Sequence, residues 1–123
     1  MARAKSKLTT LTTRGEFQRV RGGGRATADG FILEGKRRPV PDSAAAGPRF
    51  GFTITRKIGN AVTRNRIRRR LRAALAALAP NAADSATDYV VVARLPAASQ
   101  DFATLSADLK RAFERVGRAL APR

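Results

Sequence analysis

Apolar and polar positions recur along this chain with two periods, and breakers divide them into six stretches. The clearest is 49–56, Arg-Phe-Gly-Phe-Thr-Ile-Thr-Arg, where Phe50, Phe52 and Ile54 alternate with Gly51, Thr53 and Thr55. A period of two predicts a strand with one apolar face and one small, polar face. Tyr89-Val90-Val91-Val92-Ala93 is a continuous apolar run, the pattern of a strand covered on both sides. Phe31, Ile32 and Leu33 mark another strand within residues 25–34. Three stretches follow the helical period instead. Residues 10–20 carry Leu11, Phe17 and Val20, with Thr13 and Glu16 spaced as a capping box. Residues 61–78 align Ile67, Leu71, Ala74, Leu75 and Leu78, with Asn60 as N-cap and Pro80 just past the end. Residues 102–120 align Phe102, Leu105, Leu109, Phe113, Val116 and Leu120. Gly22-Gly23-Gly24 ends the first helix, and the polar, proline-containing connection 36–48 is expected to be a hairpin loop. Residues 1–8 read as a basic, mobile arm.

The order helix, strand, strand, helix, strand, helix contains one βαβ unit, from the strand at 49–56 to the strand at 89–93. It predicts a single-domain α+β fold over residues 1–123, an α-β sandwich with a mixed β-sheet packed with helices on one face. A chain of 123 residues with 43% hydrophobic content can bury one modest core.

Charge changes the picture more than size does. The net charge is +16, and residues 1–72 hold 19 Lys/Arg against 4 Asp/Glu, whereas residues 73–123 hold 6 against 5. A surplus confined to part of a fold marks a binding surface. Six of these charges, Arg64, Arg66, Arg68, Arg69, Arg70 and Arg72, fall within nine residues of the second helix, and no acid occurs between Asp42 and Asp84 to balance them. At 100° per residue Asn65, Arg66, Arg68, Arg69 and Arg72 fan out opposite the apolar stripe. A polyanion with closely spaced charges, a phosphodiester backbone, is the partner that fits. A solvated, salt-bridged face is the competing reading, and it lacks the acids it needs. The basic residues of the last helix (Lys110, Arg111, Arg115 and Arg118) are interleaved with Asp108 and Glu114, and there the solvated face is preferred.

The chain has no cysteine and no histidine. Disulfides, thiolate metal sites and histidine-assisted nucleophiles are thereby excluded. The nine acids are scattered, with none in the basic motif, so a protein-borne two-metal nuclease is not expected. No apolar run reaches membrane-span length and the basic N-terminus has no following apolar segment, so a cytoplasmic chain without membrane partners is expected.

The run Lys57 to Arg72, with Gly59-Asn60-Ala61-Val62 leading into Arg64-Asn65-Arg66-Ile67-Arg68-Arg69 and Leu71, resembles the bacterial ribonuclease P protein component. Glu16-Phe17-Gln18-Arg19-Val20 and Asp88 to Arg94 extend the likeness to nearly the whole chain. The resemblance implies a small basic subunit of a ribonucleoprotein endoribonuclease that removes the 5′ leader of precursor tRNA, with hydrolysis carried by the catalytic RNA and its Mg²⁺. It also implies a left-handed βαβ crossover, against the general handedness rule. By the same likeness Arg64, Asn65, Arg66, Arg68, Arg69, Arg70 and Arg72 contact the catalytic RNA. A cleft between the first helix and the sheet would hold the single-stranded leader, and Asn60, at least a helix cap, would also help hold Mg²⁺ at the RNA junction.

Residue by residue, Phe17 would overhang the polar strand face as a stacking platform. Arg21, Ile32, Thr53 and Thr55 would line the cleft, and Arg56 and Lys57 would bring charge to its end. Arg21 and Glu34 replace aromatics common in the family. Arginine can stack and bind phosphate, whereas Glu34 repels phosphate unless paired or turned away. Phe17 read without the resemblance is a core residue of a short helix. Two other classes compete with this reading: a ribosomal or RNA-chaperone protein, and a membrane-active cationic helix.

Overall fold

The computed structural model describes residues 8–39 and 47–120, whose strands form one mixed five-stranded sheet in the order β1-β4-β5-β3-β2. The strands are β1 (Thr9–Thr10), β2 (Gly24–Thr27), β3 (Phe31–Arg37), β4 (Arg49–Thr53) and β5 (Thr87–Ala93). Central β5 runs parallel to β4 and antiparallel to β3. The helices are α1 (Arg14–Val20), α2 (Ala61–Ala82) and α3 (Phe102–Leu120). Short 3-10 turns, Arg56–Ile58 and Leu95–Ala98, precede α2 and α3.

Register decides which side chains share a face, because directly opposed residues point the same way. Across β3, β5 and β4, the rows Leu33-Val91-Phe52 and Gly35-Tyr89-Phe50 face one side. Packed there are the buried stripes of α2 (Ile67, Leu71, Ala74, Leu75) and α3 (Leu105, Leu109, Phe113, Val116). Tyr89 stacks on Phe50 at 5.4 Å between ring centroids, and Phe113 meets the Tyr89 ring edge-on at 5.1 Å. The rows Ile32-Val92-Thr53 and Glu34-Val90-Gly51 face the other side, where α1 packs through a separate cluster of Leu11, Phe17, Val20, Val90 and Val92. Helices therefore cover both faces rather than one. A central strand apolar on both sides needs two covers, and α1 is the second.

Several elements differ from their sequence patterns. The strand expected over 25–34 is an antiparallel hairpin, β2 and β3, whose turn closes with Ala28 N–H donating to the Phe31 carbonyl at 2.8 Å. The connection 36–48 is not a hairpin loop: β3 runs on to Arg37, and β5 lies between β3 and β4. Residues 40–46 of that connection and 1–7 of the basic arm lie outside the described residues. Leu8, the last residue of the expected arm, packs against the main core. Pro80 lies inside α2 rather than past it. It cannot donate to the Ala76 carbonyl, yet the turn continues because Ala83 N–H reaches the Ala79 carbonyl at 3.0 Å and Asp84 N–H reaches the Tyr89 hydroxyl at 2.8 Å. Phe102, expected in the core, is exposed.

The α1 ends follow the sequence closely. Thr13 and Glu16 form the full capping box, and the helix stops before Gly22, whose φ of 87° is left-handed and costs glycine little. What fixes α1 to the sheet is a buried ion cluster. Asp88 on β5 has no solvent exposure and accepts from Arg38 at 2.7 Å and from Arg49 at 2.8 Å to each oxygen. Arg19 of α1 closes a third ion pair on it, and Arg49 also reaches Glu16 at 3.3 Å. Burial alone would raise the Asp88 carboxyl, but hydrogen bonds from Arg49 and Arg38, with their charges, outweigh it and lower its pKa.

Asp88→Asn should therefore lower stability by about 3–5 kcal/mol, the usual cost of breaking a buried pair, read as a lower urea midpoint. Because the folded pKa lies below the unfolded one, this contribution is complete above about pH 4 and is lost as pH falls through the folded value. The gap between wild type and Asp88→Asn should narrow as the medium is acidified. A gap independent of pH would show that Asp88 stabilises by something other than its charge.

Candidate nucleic-acid interface

The basic face of α2 begins at its cap. Asn60 Oδ1 accepts from Thr63 N–H at 2.9 Å, and Arg64 Nε donates back to the Gly59 carbonyl at 3.1 Å. The burial of Ile67 and Leu71 turns Asn65, Arg66, Arg69 and Arg72 outward, all exposed. Arg64, Arg68 and Arg70 are half-buried because each leans on the protein. Arg68 donates to Asn65 Oδ1 at 2.9 Å, and Arg70 Nε to the Ala97 carbonyl at 2.9 Å. Arg66 Nε reaches the Ala98 carbonyl at 2.7 Å, and the Arg72 guanidinium lies 5.7 Å from the Phe52 ring centroid. Arg69 alone of the six makes no hydrogen bond, ion pair or ring contact with the described residues. Val62, inside the motif, is 75% exposed.

The residues around Asn60 do not build a metal site of their own. Its Oδ1 is engaged in the helix cap, and no carboxylate lies in the motif. Among the described residues no three His, Cys, Asp or Glu side chains are grouped to hold a metal. No helix among them is long and apolar enough to cross a membrane.

On the opposite side of the sheet a cleft of about 300 Å³ lies between α1 and the strands, lined by Arg14, Phe17, Gln18, Arg21, Glu34, Thr53, Val90 and Val92. Phe17, Arg21 and Thr53 are thus brought together as expected. Ile32 is half-buried on the same sheet face beside Val92. Thr55, Arg56 and Lys57 sit exposed beyond the end of β4, outside the lining of this cleft. Arg14, Gln18, Val90 and Val92 are additional. The spacing 14, 17, 18, 21 on one short helix carries the signal for the first two. Phe17 does not stand free over the strand. Its ring tip lies where a Cβ on Gly51 would be, 2.5 Å from that position, so the absence of a side chain at 51 seats the ring. Glu34 is half-buried at the cleft wall opposite Arg25 of β2, and no ion pair holds it among the described residues.

A small, strongly basic α-β sandwich, with an arginine helix over one sheet face and a cleft on the other, is the class that these features define. A sequence model of the Ribonuclease P family matches residues 6–117. The chain is 40% identical over 119 residues to the ribonuclease P protein component of Brucella suis, covering 94% of this chain and 84% of that one. It is 40% identical over 113 residues to that of Paramagnetospirillum magneticum, covering 91% and 85%. In fold it is similar to the RNase P protein of Staphylococcus aureus (TM-score 0.71, 22% identity, 94% of this chain and 100% of that one). It is likewise similar to that of Thermotoga maritima (TM-score 0.68, 21% identity, 83% and 92%). The chain belongs to the ribonuclease P protein family.

The seating of Phe17 can be checked by a double-mutant cycle. Gly51→Ala should displace the ring and lower stability by roughly 1 kcal/mol, near the lower end of overpacking costs because a ring tip can swing aside. In a Phe17→Ala background the added methyl should cost less, giving a coupling of at least about 0.5 kcal/mol in urea unfolding. Additive effects would place the ring away from Gly51.

Proposed function

We propose that this chain is the protein subunit of ribonuclease P, binding the catalytic RNA through the arginine face of α2 and the single-stranded 5′ leader of precursor tRNA in the α1 cleft. The observation that carries the reading is the six-arginine helix with no acid in sequence from Ser43 to Ala83, in a chain of this family. Closely spaced guanidiniums release condensed counterions from a phosphate backbone, so RNA binding should weaken steeply with salt. Arg64, Asn65, Arg66, Arg68, Arg69, Arg70 and Arg72 are assigned to that contact.

The cleft suits a different ligand. Val92 and the Phe17 ring offer apolar surface for unstacked bases above the buried Val90, Thr53 offers a small hydroxyl, and Arg14 and Arg21 bring positive charge. Stacking with backbone charge is the sequence-tolerant mode for single strands. Thr55, Arg56 and Lys57, beyond the end of β4, would meet the leader as it leaves the cleft, with Ile32 on the same sheet face. Without histidine and without clustered acids in its basic motif, the chain has no evident general base, and hydrolysis is assigned to the RNA with its Mg²⁺. Asn60 would touch an ion there only as one that the RNA holds. The reading places the chain in the cytoplasm, with precursor tRNA and its RNA partner.

The direct test is cleavage of precursor tRNA by a bacterial ribonuclease P RNA at low Mg²⁺, with and without this chain. Strong dependence on the protein is expected, with the protein alone leaving the substrate intact. Leader removal by the protein alone would move catalysis out of the RNA, and no dependence would end the assignment.

Phe17→Ala should weaken binding of a long-leader precursor to the assembled enzyme by roughly 1–3 kcal/mol, one lost base–aromatic stack, while mature tRNA binding hardly changes. Equal losses for both ligands would make Phe17 a packing residue of α1 only.

A further inference from the structure

The seven aromatic side chains include one that the core does not claim. Phe31, Phe50, Tyr89 and Phe113 are buried and Phe17 and Phe52 half-buried, but Phe102, the first residue of α3, is 42% exposed. Its position in the helical stripe would allow burial, yet the ring lies outside it, next to the basic helix. The Arg70 guanidinium lies 5.8 Å from its centroid. The same guanidinium donates through Nε to the Ala97 carbonyl and through a terminal nitrogen to the Gln100 carbonyl. One turn earlier Arg66 donates through Nε to the Ala98 carbonyl at 2.7 Å, and neither of its terminal nitrogens has a partner among the described residues. Two arginines at i and i+4 thus clasp the turn before α3 and fix the ring relative to α2. The neighbouring acid, Asp101, is exposed and accepts from Thr104 N–H at 3.3 Å at the start of α3, where the helix N-terminus offsets part of its charge.

We propose that this corner is a nucleotide-binding contact for the RNA partner. Phe102 stacks on an unpaired base, and the free terminal nitrogens of Arg66, with the remaining donors of Arg70, take the adjoining phosphate. The proposal rests on the reading of α2 as the RNA-binding face and extends it to a second element, α3. Charge complementarity selects the occupant. An apolar protein segment would leave the outward guanidinium donors unpaired, whereas a nucleotide matches a ring and a cation side by side.

The test uses the full-length chain and the catalytic RNA, with affinity measured by filter binding across a salt series and folding followed by thermal melting. Phe102→Leu keeps an apolar side chain without a stacking face and should weaken binding roughly ten-fold, within the range for one stacked base, with the salt slope unchanged. Phe102→Tyr should bind as wild type. Arg69→Ala is the control for the parent reading and should reduce the salt slope by about one. If Phe102→Leu binds as wild type while Arg69→Ala lowers the slope, the corner is not a contact and the α2 reading stands. If neither variant changes binding, the α2 reading fails and takes the corner with it. If Phe102→Leu also lowers the salt slope by about one, the ring serves to hold Arg70 on a phosphate and the stacking proposal is overturned.

Discussion

Asp88 is a charge that the sheet could bury only by surrounding it with partners, and much of the molecule is arranged by that requirement. Removing a carboxylate from water costs several kcal/mol unless nearly all its lone pairs are satisfied. Here Arg19, Arg38 and Arg49 converge on it from α1, from the segment after β3 and from the start of β4. Three separate stretches are thereby tied to the central strand at one point. Asp88, Val90 and Val92 alternate along β5 on the α1 side, so the ion cluster, the apolar seat of α1 and the cleft floor form one row. Arg19 is two residues from Phe17. The gap between helix and sheet is set by a charge at one end and by the missing side chain of Gly51 near the other.

The basic surplus therefore divides between two duties. Arginines 19, 38 and 49 are engaged by the buried Asp88, while most of those of α2 lie on a surface that is itself braced. Arg64, Arg66 and Arg70 spend one or more donors on backbone carbonyls, and Arg72 lies over Phe52. Guanidiniums already held in one rotamer lose less entropy when they meet a ligand, so under the proposed RNA-binding role the bracing would favour affinity. Arginine permits this because its fork can bond the protein with one edge and present another outward.

Local signals in the sequence carried a long way. The capping box at Thr13, the cap at Asn60, the alternation through Phe50 and Phe52 and the stripe from Ile67 to Leu75 all depend on neighbours within a few residues, and the structure contains each. The missed features depend on distance in sequence. Arg38 and Asp88 are fifty residues apart, and no pattern marks them as partners. The two-residue β1 is defined by its pairing with β4 alone. Pro80 normally signals an end, but the Tyr89 hydroxyl, supplied by another element, receives the next free N–H and supports one more turn. Phe102 satisfies the helical period and still lies outside the core, because it falls on the first turn of α3, where Arg70 rather than the sheet meets it. Of the cleft, Phe17 and Thr53 were legible from facing and spacing. The seat of Phe17 on Gly51 needed the third dimension.

The place of β5 in the sheet has a consequence for synthesis. β3 and β4 are not neighbours; each pairs with β5, which is the last strand to be made. A chain growing from its N-terminus can form the β2–β3 hairpin and α2 early, but nothing joins the two halves of the sheet until Ala93 has emerged. Until then the basic helix is present without its scaffold. Closure requires a strand to insert between two others, a non-local step of the kind that slows folding. Of the cluster, Arg19, Arg38 and Arg49 are made well before their carboxylate. The fold is closed at its middle, and late.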